Sequence, residues 1–375
     1  MTRALNRPSV PYLDLARAAA EGREALEAAL LTCVRRGRYI LGDEVAAFER
    51  EWAAFCGAPF AVSCASGTDA ITLALAGLGV GAGDEVLTVS MTCAPSAVGI
   101  QRAGATPVFV DVEADRLTMN PALLESALTA RTKAIVPVHL YGRMADMERI
   151  RAFAEANGLL VVEDCAQAHG AALGGRPAGS FGDAAAWSFY PTKNLGALGD
   201  GGAVTTAQSE VAAKIRKLRL YGYATRNDAD VAGFNSRLDE IQAAGLRVNL
   251  GRLAGGNARR KAIVALYDAT LASLAPLLRT PPAARAGEVS ANHLYVVRVD
   301  DRDAFRGRLE RAGVGSDVHY PRAVHEQPAF AALPRGPLPE TERAMREVVS
   351  LPLYPQLADD EVERVIEAVR SSVKR

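Results

Sequence analysis

A chain of 375 residues, 49% apolar and 23% charged, exceeds the size at which one core keeps growing, so we expect a large domain and a smaller one. Lys and Arg total 43 and Asp and Glu total 43, a net charge of zero that gives no electrostatic footprint for nucleic acid or an anionic membrane. No apolar run of ~18 residues is free of charges or glycine breaks, which argues against a membrane-spanning helix.

The first segment, Met1 to Leu15, is broken by Arg3, Arg7, Pro8 and Pro11 and has no signal-peptide core. Cys33, Cys56, Cys64, Cys93 and Cys165 show no Cys-x-x-Cys spacing, so reduced thiols in a cytoplasmic protein are expected. From about residue 60, short apolar runs alternate with helical patterns. Ala61–Cys64 reads as a buried strand, followed by a helix through Ala70, Ile71, Leu73, Ala74 and Leu78. Glu85–Val89, Pro107–Val112, Ala134–His139, Leu159–Val162, Ala184–Phe189 and Ala203–Thr206 read as further strands. Helices are expected over Ala94–Arg102 and Met144–Asn157, and Asn120-Pro121 supplies an N-cap and a proline at a first helical position.

Near-continuous apolar strands separated by helices predict a mainly parallel sheet covered on both faces, an α/β fold with its site beyond the carboxyl ends of the strands. After Gly233 the pattern changes. Helices are expected over Arg237–Leu253 and Asn257–Leu274, a strand over His293–Val299, and helices over Asp303–Ala312 and Asp359–Val373. The division expected is residues 1–245 for the large domain and 246–375 for a smaller C-terminal α/β domain.

The lysines are Lys133, Lys193, Lys214, Lys217, Lys261 and Lys374. Lys214 and Lys217 sit among polar helix residues, but Lys193 lies in a turn between an apolar strand and the glycine-rich Gly199-Asp200-Gly201-Gly202. Removing an amine from water lowers its pKa and frees its lone pair for attack on a carbonyl carbon, so Lys193 reads as a Schiff-base lysine. Ser66-Gly67-Thr68-Asp69 joins a strand to a helix, where free N–H groups and the dipole suit an anion; an ordinary N-cap reads the same way. Asp164 follows an apolar strand and points into the crevice or caps a helix. A lysine to hold the aldehyde, an acid for the ring nitrogen and an anion cradle are the three protein contributions that pyridoxal 5′-phosphate requires.

Seven segments carry a resemblance: Arg38–Gly42, Ser66–Ala70, Pro137–Gly142, Glu163–Gly170, Ser188–Gly196, Gly233–Ala244 and Leu351–Leu357. In their order along the chain they resemble the DegT-type nucleotide-sugar aminotransferases. The resemblance implies an aspartate-aminotransferase-like, fold-type I three-layer domain binding pyridoxal 5′-phosphate. It implies that Lys193 holds the cofactor covalently, Asp164 pairs with its ring nitrogen and Gln167 bonds its 3-oxygen. Gly67, Thr68 and Ser188 would hold the phosphate, with Asn235 reaching it from a second subunit, so a homodimer with shared sites is implied. Cys93 stands where family members often stack an aromatic ring on the cofactor, and gives less contact area.

Tyr190, His319, Tyr320 and His325 are the substrate-side residues the resemblance suggests. L-Glutamate is the implied donor. The implied acceptor is a nucleotide-linked keto-6-deoxyhexose, with dTDP as the nucleotide and C3 as the position aminated; a C4-keto sugar or a keto-cyclitol remains open. A sugar dehydratase of this fold would lack Lys193, and a non-catalytic regulator would not need the lysine, acid and anion cradle together. No metal site is expected: His319 and His325 lack helical ligand spacing and no cysteine pair supports them. His139 reads as either a site-lining or a satisfied core residue, and a Cys165/His169 pair is conceivable as a hydrolase dyad.

Overall fold

The computed structural model describes residues 9–373; Arg3, Arg7, Pro8 and Lys374 lie outside the described residues. Seven strands form the central sheet: β1 (Phe60–Cys64), β2 (Glu85–Val89), β3 (Thr106–Val110), β4 (Thr132–Ile135), β5 (Leu160–Asp164), β6 (Ala184–Ser188) and β7 (Gly202–Thr206). Their order is β1-β7-β6-β5-β4-β2-β3. All pairings from β6 to β3 are parallel, and β7 alone is reversed, running antiparallel to both β6 and β1.

Successive strand residues feed opposite cores, as the two-residue period of a strand requires. Val62, Val86, Ala134, Val162, Ala184 and Val204 pack with the helices Gly67–Gly77 and Ser209–Leu218 on one face. Ala61, Leu87, Ile135, Val161, Ala185 and Ala203 pack with Asp43–Cys56 and Met147–Ala156 on the other. Both faces are therefore covered, which is the three-layer arrangement expected from the apolar strands. Because β7 returns antiparallel to β6, the connection Phe189 to Gly201 stays at the carboxyl edge of the sheet. Lys193 is in that connection.

The sequence predicts two helices across residues 237–274, and the structure has one, Glu240–Leu271. Gly255 and Gly256 lie inside it without breaking it. Ala243, Leu246 and Leu253 anchor its first half in the main core, and Ile263, Tyr267 and Leu271 anchor its second half in the C-terminal core. Burial at both ends outweighs the ~1 kcal/mol that each interior glycine costs relative to alanine. At Gly256 an added Cβ would come within 3.3 Å of Pro355, whereas Gly255 faces open space. Gly255→Ala is accordingly expected to raise the stability of the protein by about 1 kcal/mol, read as the shift in its denaturant midpoint at constant slope.

The expected boundary after Gly245 falls inside this helix. Beyond it, β8 (Tyr295–Arg298) pairs antiparallel with β9 (Val348–Leu351), flanked by the helices Arg302–Arg311 and Asp359–Ser372. Their core also takes in Val10, whose backbone bonds Gly313 and Gly315 at 3.0 and 2.8 Å. Helices Arg23–Arg36 and Asp43–Cys56, ahead of β1, were not anticipated from the sequence pattern. The first buries only Leu26 and Cys33, so its apolar period is faint.

Candidate active site

Asp164 is the last residue of β5 and is buried. Its Oδ2 accepts a hydrogen bond of 2.7 Å from Ser96 Oγ, and its Oδ1 accepts one of 3.1 Å from the Ala166 N–H. Ser96 Oγ in turn meets Thr92 Oγ1 at 2.9 Å. The carboxylate is held at a fixed angle at the strand end, with acceptor capacity left over.

Lys193 is half-buried in the β6–β7 connection, where its N–H donates to Tyr190 O at 2.8 Å. Desolvation pulls its amine below the ordinary lysine value; Cys93 and Asp164 act in the opposite direction and do not overcome it. Cys93 is exposed at the mouth of the crevice, N-terminal to the helix Ala94–Arg102. Surrounding protein pushes its thiol up, while Lys193 and a contact with Tyr320 pull it down; solvent at this open position limits the shift. Cys93, Asp164 and Lys193 are thus close enough to influence one another's charge.

Ser66 caps the helix Gly67–Gly77 by accepting from the Asp69 N–H at 3.1 Å, and its carbonyl accepts from the Ala70 N–H at 2.9 Å. The N–H groups of Gly67 and Thr68 find no acceptor among the described residues. A Cβ on Gly67 would lie 2.6 Å from the Ser188 Cβ, so the glycine lets the end of β6 pass directly under the helix N-terminus. Ser188, Gly67 and Thr68 therefore border one anion-sized position facing the dipole.

Gln167 is buried, with Oε1 accepting from the Tyr141 N–H at 2.6 Å and Nε2 donating to Tyr320 Oη at 2.9 Å. The backbone N–H fixes the orientation of this amide, so Gln167 has one N–H left to donate. Tyr141 reaches it from a backbone at φ 60°, a conformation rare for a bulky residue, and also donates through its hydroxyl to the His319 carbonyl. His319 itself bonds Ser350 Oγ at 2.9 Å, lies 5.7 Å from the Tyr12 ring and is kept from protonating chiefly by burial. Lys193, Asp164, Gln167, Cys93 and Tyr320 are thus gathered into one crevice.

The other expected residues are placed differently. Tyr190 and Asn235 are exposed; Ser236, beside Asn235, bonds Asp69 at 2.7 Å within the same chain. His325 is buried, its Nδ1 2.7 Å from Ser90 Oγ and its Nε2 3.6 Å from Glu342. A cavity of about 830 Å3 borders the lysine turn at Thr192, Lys193 and Asn194 and extends to Asn257, Arg260 and Tyr354. Asp164 and Gln167 do not line it.

His139 is a satisfied core residue. Its Nδ1 accepts from the Ala145 N–H at 3.1 Å, so the proton is on Nε2, which donates to Glu163 at 2.9 Å. Glu163 also accepts from the N–H groups of Gly179, Phe181 and Gly182 at 3.0, 2.8 and 2.7 Å. His139, Glu163 and Cys165 lie together, but these bonds occupy the lone pairs a metal would need. Cys165 and His169 make no hydrogen bond to each other among the described residues, and burial drives the Cys165 thiol well up, so no hydrolase dyad is formed.

His169 is fully buried among Trp52, Trp187 and Phe189, at 5.7, 5.5 and 5.9 Å between ring centroids. Neither ring nitrogen has a hydrogen-bond partner among the described residues. Desolvation, helped by the nearby Lys193, depresses its pKa from the usual 6.5 to about 3; the Ser188 backbone opposes this without reaching hydrogen-bond geometry. The unfolded chain therefore takes up a proton near pH 6.5 that the folded protein refuses down to about 3, so stability falls as pH falls through that window. His169→Phe keeps the aromatic contacts and removes the titration. Its loss of stability between pH 7 and 4 is expected to be about 2–3 kcal/mol smaller than that of the parent, measured by denaturant unfolding at each pH.

Sequence reading missed Ser96, Tyr141, Asn257 and His293. Each reaches the site through a contact distant in the chain; the Ala94-Pro95-Ser96 helix start and, for Tyr141, the Pro137–Gly142 segment were the local signals. The desolvated amine, the buried carboxylate held by two donors and the open helix N-terminus fit pyridoxal 5′-phosphate, whose aldehyde, ring nitrogen and phosphate they complement.

Comparison with known proteins agrees. Residues 20–370 match the DegT/DnrJ/EryC1/StrS aminotransferase family. A dTDP-3-amino-3,4,6-trideoxy-alpha-D-glucose transaminase of Streptomyces venezuelae is 46% identical, over 100% of this chain and 99% of the relative. The crystal structure of S. venezuelae DesV in complex with a ketimine intermediate superposes with a TM-score of 0.95 at 46% identity, covering 98% of this chain and 99% of that one. NtdA from Bacillus subtilis with bound cofactor PMP superposes with a TM-score of 0.90 at 30% identity, covering 100% of this chain and 87% of its own. The chain belongs to the DegT/DnrJ/EryC1/StrS aminotransferase family and is a pyridoxal-phosphate-dependent aminotransferase.

Proposed function

We propose that this enzyme transfers the amino group of L-glutamate to C3 of a dTDP-linked keto-6-deoxyhexose, making a deoxyamino sugar. The full-length, 46% identity to a transaminase named for a dTDP-3-amino sugar carries this reading.

The cofactor, when bound, supplies a carbonyl that exchanges amino groups and a ring that accepts electrons. Lys193 Nζ, its proton affinity lowered by desolvation, takes the proton from the donor α-carbon and delivers it again within the crevice. Asp164, aimed by Ser96 and Ala166, would present its carboxylate to the ring nitrogen from the end of β5. Gln167 offers its remaining N–H to the ring's 3-oxygen. Gly67, Thr68 and Ser188 would take the phosphate, and Cys93 would offer the ring a smaller contact than an aromatic residue. Tyr190, His319, Tyr320 and His325 belong to the sugar side, His325 by holding the Ser90 segment that leads to Cys93.

We further propose a cytoplasmic homodimer in which Asn235 completes the phosphate site of the partner subunit. Asn235 is exposed, and so are Leu31, Val34, Tyr39 and Ile40, apolar residues that a second copy would cover. No helix among the described residues is long and apolar enough to cross a membrane, and the cysteines are unpaired.

The test is product analysis with a panel of nucleotide-linked 3-keto and 4-keto sugars and a keto-cyclitol, with L-glutamate as donor. Amination of the dTDP-linked 3-keto sugar at the highest kcat/KM is expected. Preference for a 4-keto sugar or the cyclitol would refute the proposed position.

A further inference from the structure

The face of the long helix Glu240–Leu271 nearest the lysine turn carries three amides at spacings of seven and eight residues, close to whole helical turns. Gln242 Oε1 accepts from the Leu198 N–H at 2.8 Å, Asn249 Nδ2 donates to Gly196 O at 2.9 Å, and Asn257 Oδ1 accepts from Asn194 Nδ2 at 2.9 Å. The segment after Lys193 is therefore fastened to one continuous helix at three points. Had the helix broken at Gly255-Gly256, Asn257 would have left this register.

The bonds around Asn194 run in a single direction. Asn194 Nδ2 also donates to Ala291 O at 2.7 Å, and a carbonyl can only accept, so the orientation of the Asn194 amide is fixed. Its Oδ1 then faces His293 Nδ1 at 2.9 Å, which makes Nδ1 the protonated nitrogen of that ring. His293 is buried, and desolvation holds its pKa well below the ordinary value, so the ring places no positive charge beside the lysine turn. At the other end, Asn257 Nδ2 donates to His169 O at 2.8 Å, which fixes the second amide as well. His169 lies in the segment that begins with Asp164 and includes Gln167.

We propose that Asn257 and His293 are positioning residues: acting through Asn194, they hold the backbone of Lys193 at a set distance from the Asp164–His169 segment. This rests on Lys193 being the reacting amine. Neither residue needs to touch substrate. Their effect is to keep the amine and the carboxylate in one frame, where a shift of about 1 Å costs about 10²-fold in rate.

The experiment uses the cofactor-loaded enzyme with Asn257→Leu, His293→Leu and His293→Asn; an asparagine amide N–H can replace the Nδ1 donor. For the two leucine variants we expect kcat to fall about 10²-fold with KM for the sugar within about twofold of the parent. The pH midpoint of the cofactor's visible absorbance should rise by about one unit as a loosened turn admits water. His293→Asn should recover most of both. Parent kcat and parent midpoint in the leucine variants, with or without a drop in thermal stability, would overturn the proposal. If one leucine variant does not fold, the other carries the test. Lys193→Ala run alongside separates the two readings: covalent attachment surviving in that variant refutes the role of Lys193 itself.

Discussion

Lys193→Ala is expected to remove the covalently held cofactor and slow amino transfer about 10²- to 10⁴-fold, the range for losing a positioned general base. Two functions go with the one nitrogen. Burial leaves the amine short of its usual proton affinity, which favours the free lone pair needed both to attack a carbonyl and to carry a proton. The Lys193→Ala protein should bind the cofactor reversibly, retained by the helix N-terminus and Asp164 alone. Single-turnover measurement with L-glutamate, followed by visible absorbance and by mass after hydride reduction, checks both. A hydride-stable adduct at another residue, or a rate within tenfold of the parent, would defeat the assignment.

Asp164→Asn is expected to lower kcat about 10³-fold while leaving covalent attachment intact. The substitution is isosteric but replaces one carboxylate oxygen by an NH2, which must face Ser96 Oγ, the Ala166 N–H or the ring nitrogen. The Ser96 hydroxyl can rotate to accept, so the cost in folding should be about 1 kcal/mol. The cost in rate is larger because a neutral amide cannot stabilise a protonated ring nitrogen. Steady-state kinetics with a thermal midpoint lowered by only about 1–4 °C would support this division. A kcat within threefold of the parent would mean that the carboxylate is not the ring's partner.

The strands were legible because both faces of the sheet are buried and most strands read as near-continuous apolar runs. Asp164, Lys193 and the Ser66-Gly67 turn were legible because each stands immediately past such a run. The long helix was not, since local propensity penalises Gly255-Gly256 and says nothing of the two cores that hold its ends. His139 left two readings open in sequence; the N–H groups of Ala145, Gly179, Phe181 and Gly182 decide between them. Asn257 and His293 had no signal at all, because their partner Asn194 is distant in the chain and an asparagine in a helix usually marks only a solvated face.

The reversal of β7 has a consequence for synthesis. β1 has β7 as its sole neighbour in the sheet, so an early strand must wait for Gly202–Thr206 before its backbone is paired. The floor beneath Gly67 and Thr68, which is Ser188 with its own neighbour β7, comes equally late. On a ribosome, nascent chains shorter than about two hundred residues would expose an unpaired edge and lack a seat for the phosphate. Cofactor capture can therefore follow sheet closure but cannot seed it, and this high-contact-order step is the interval in which unfinished chains are most prone to aggregate.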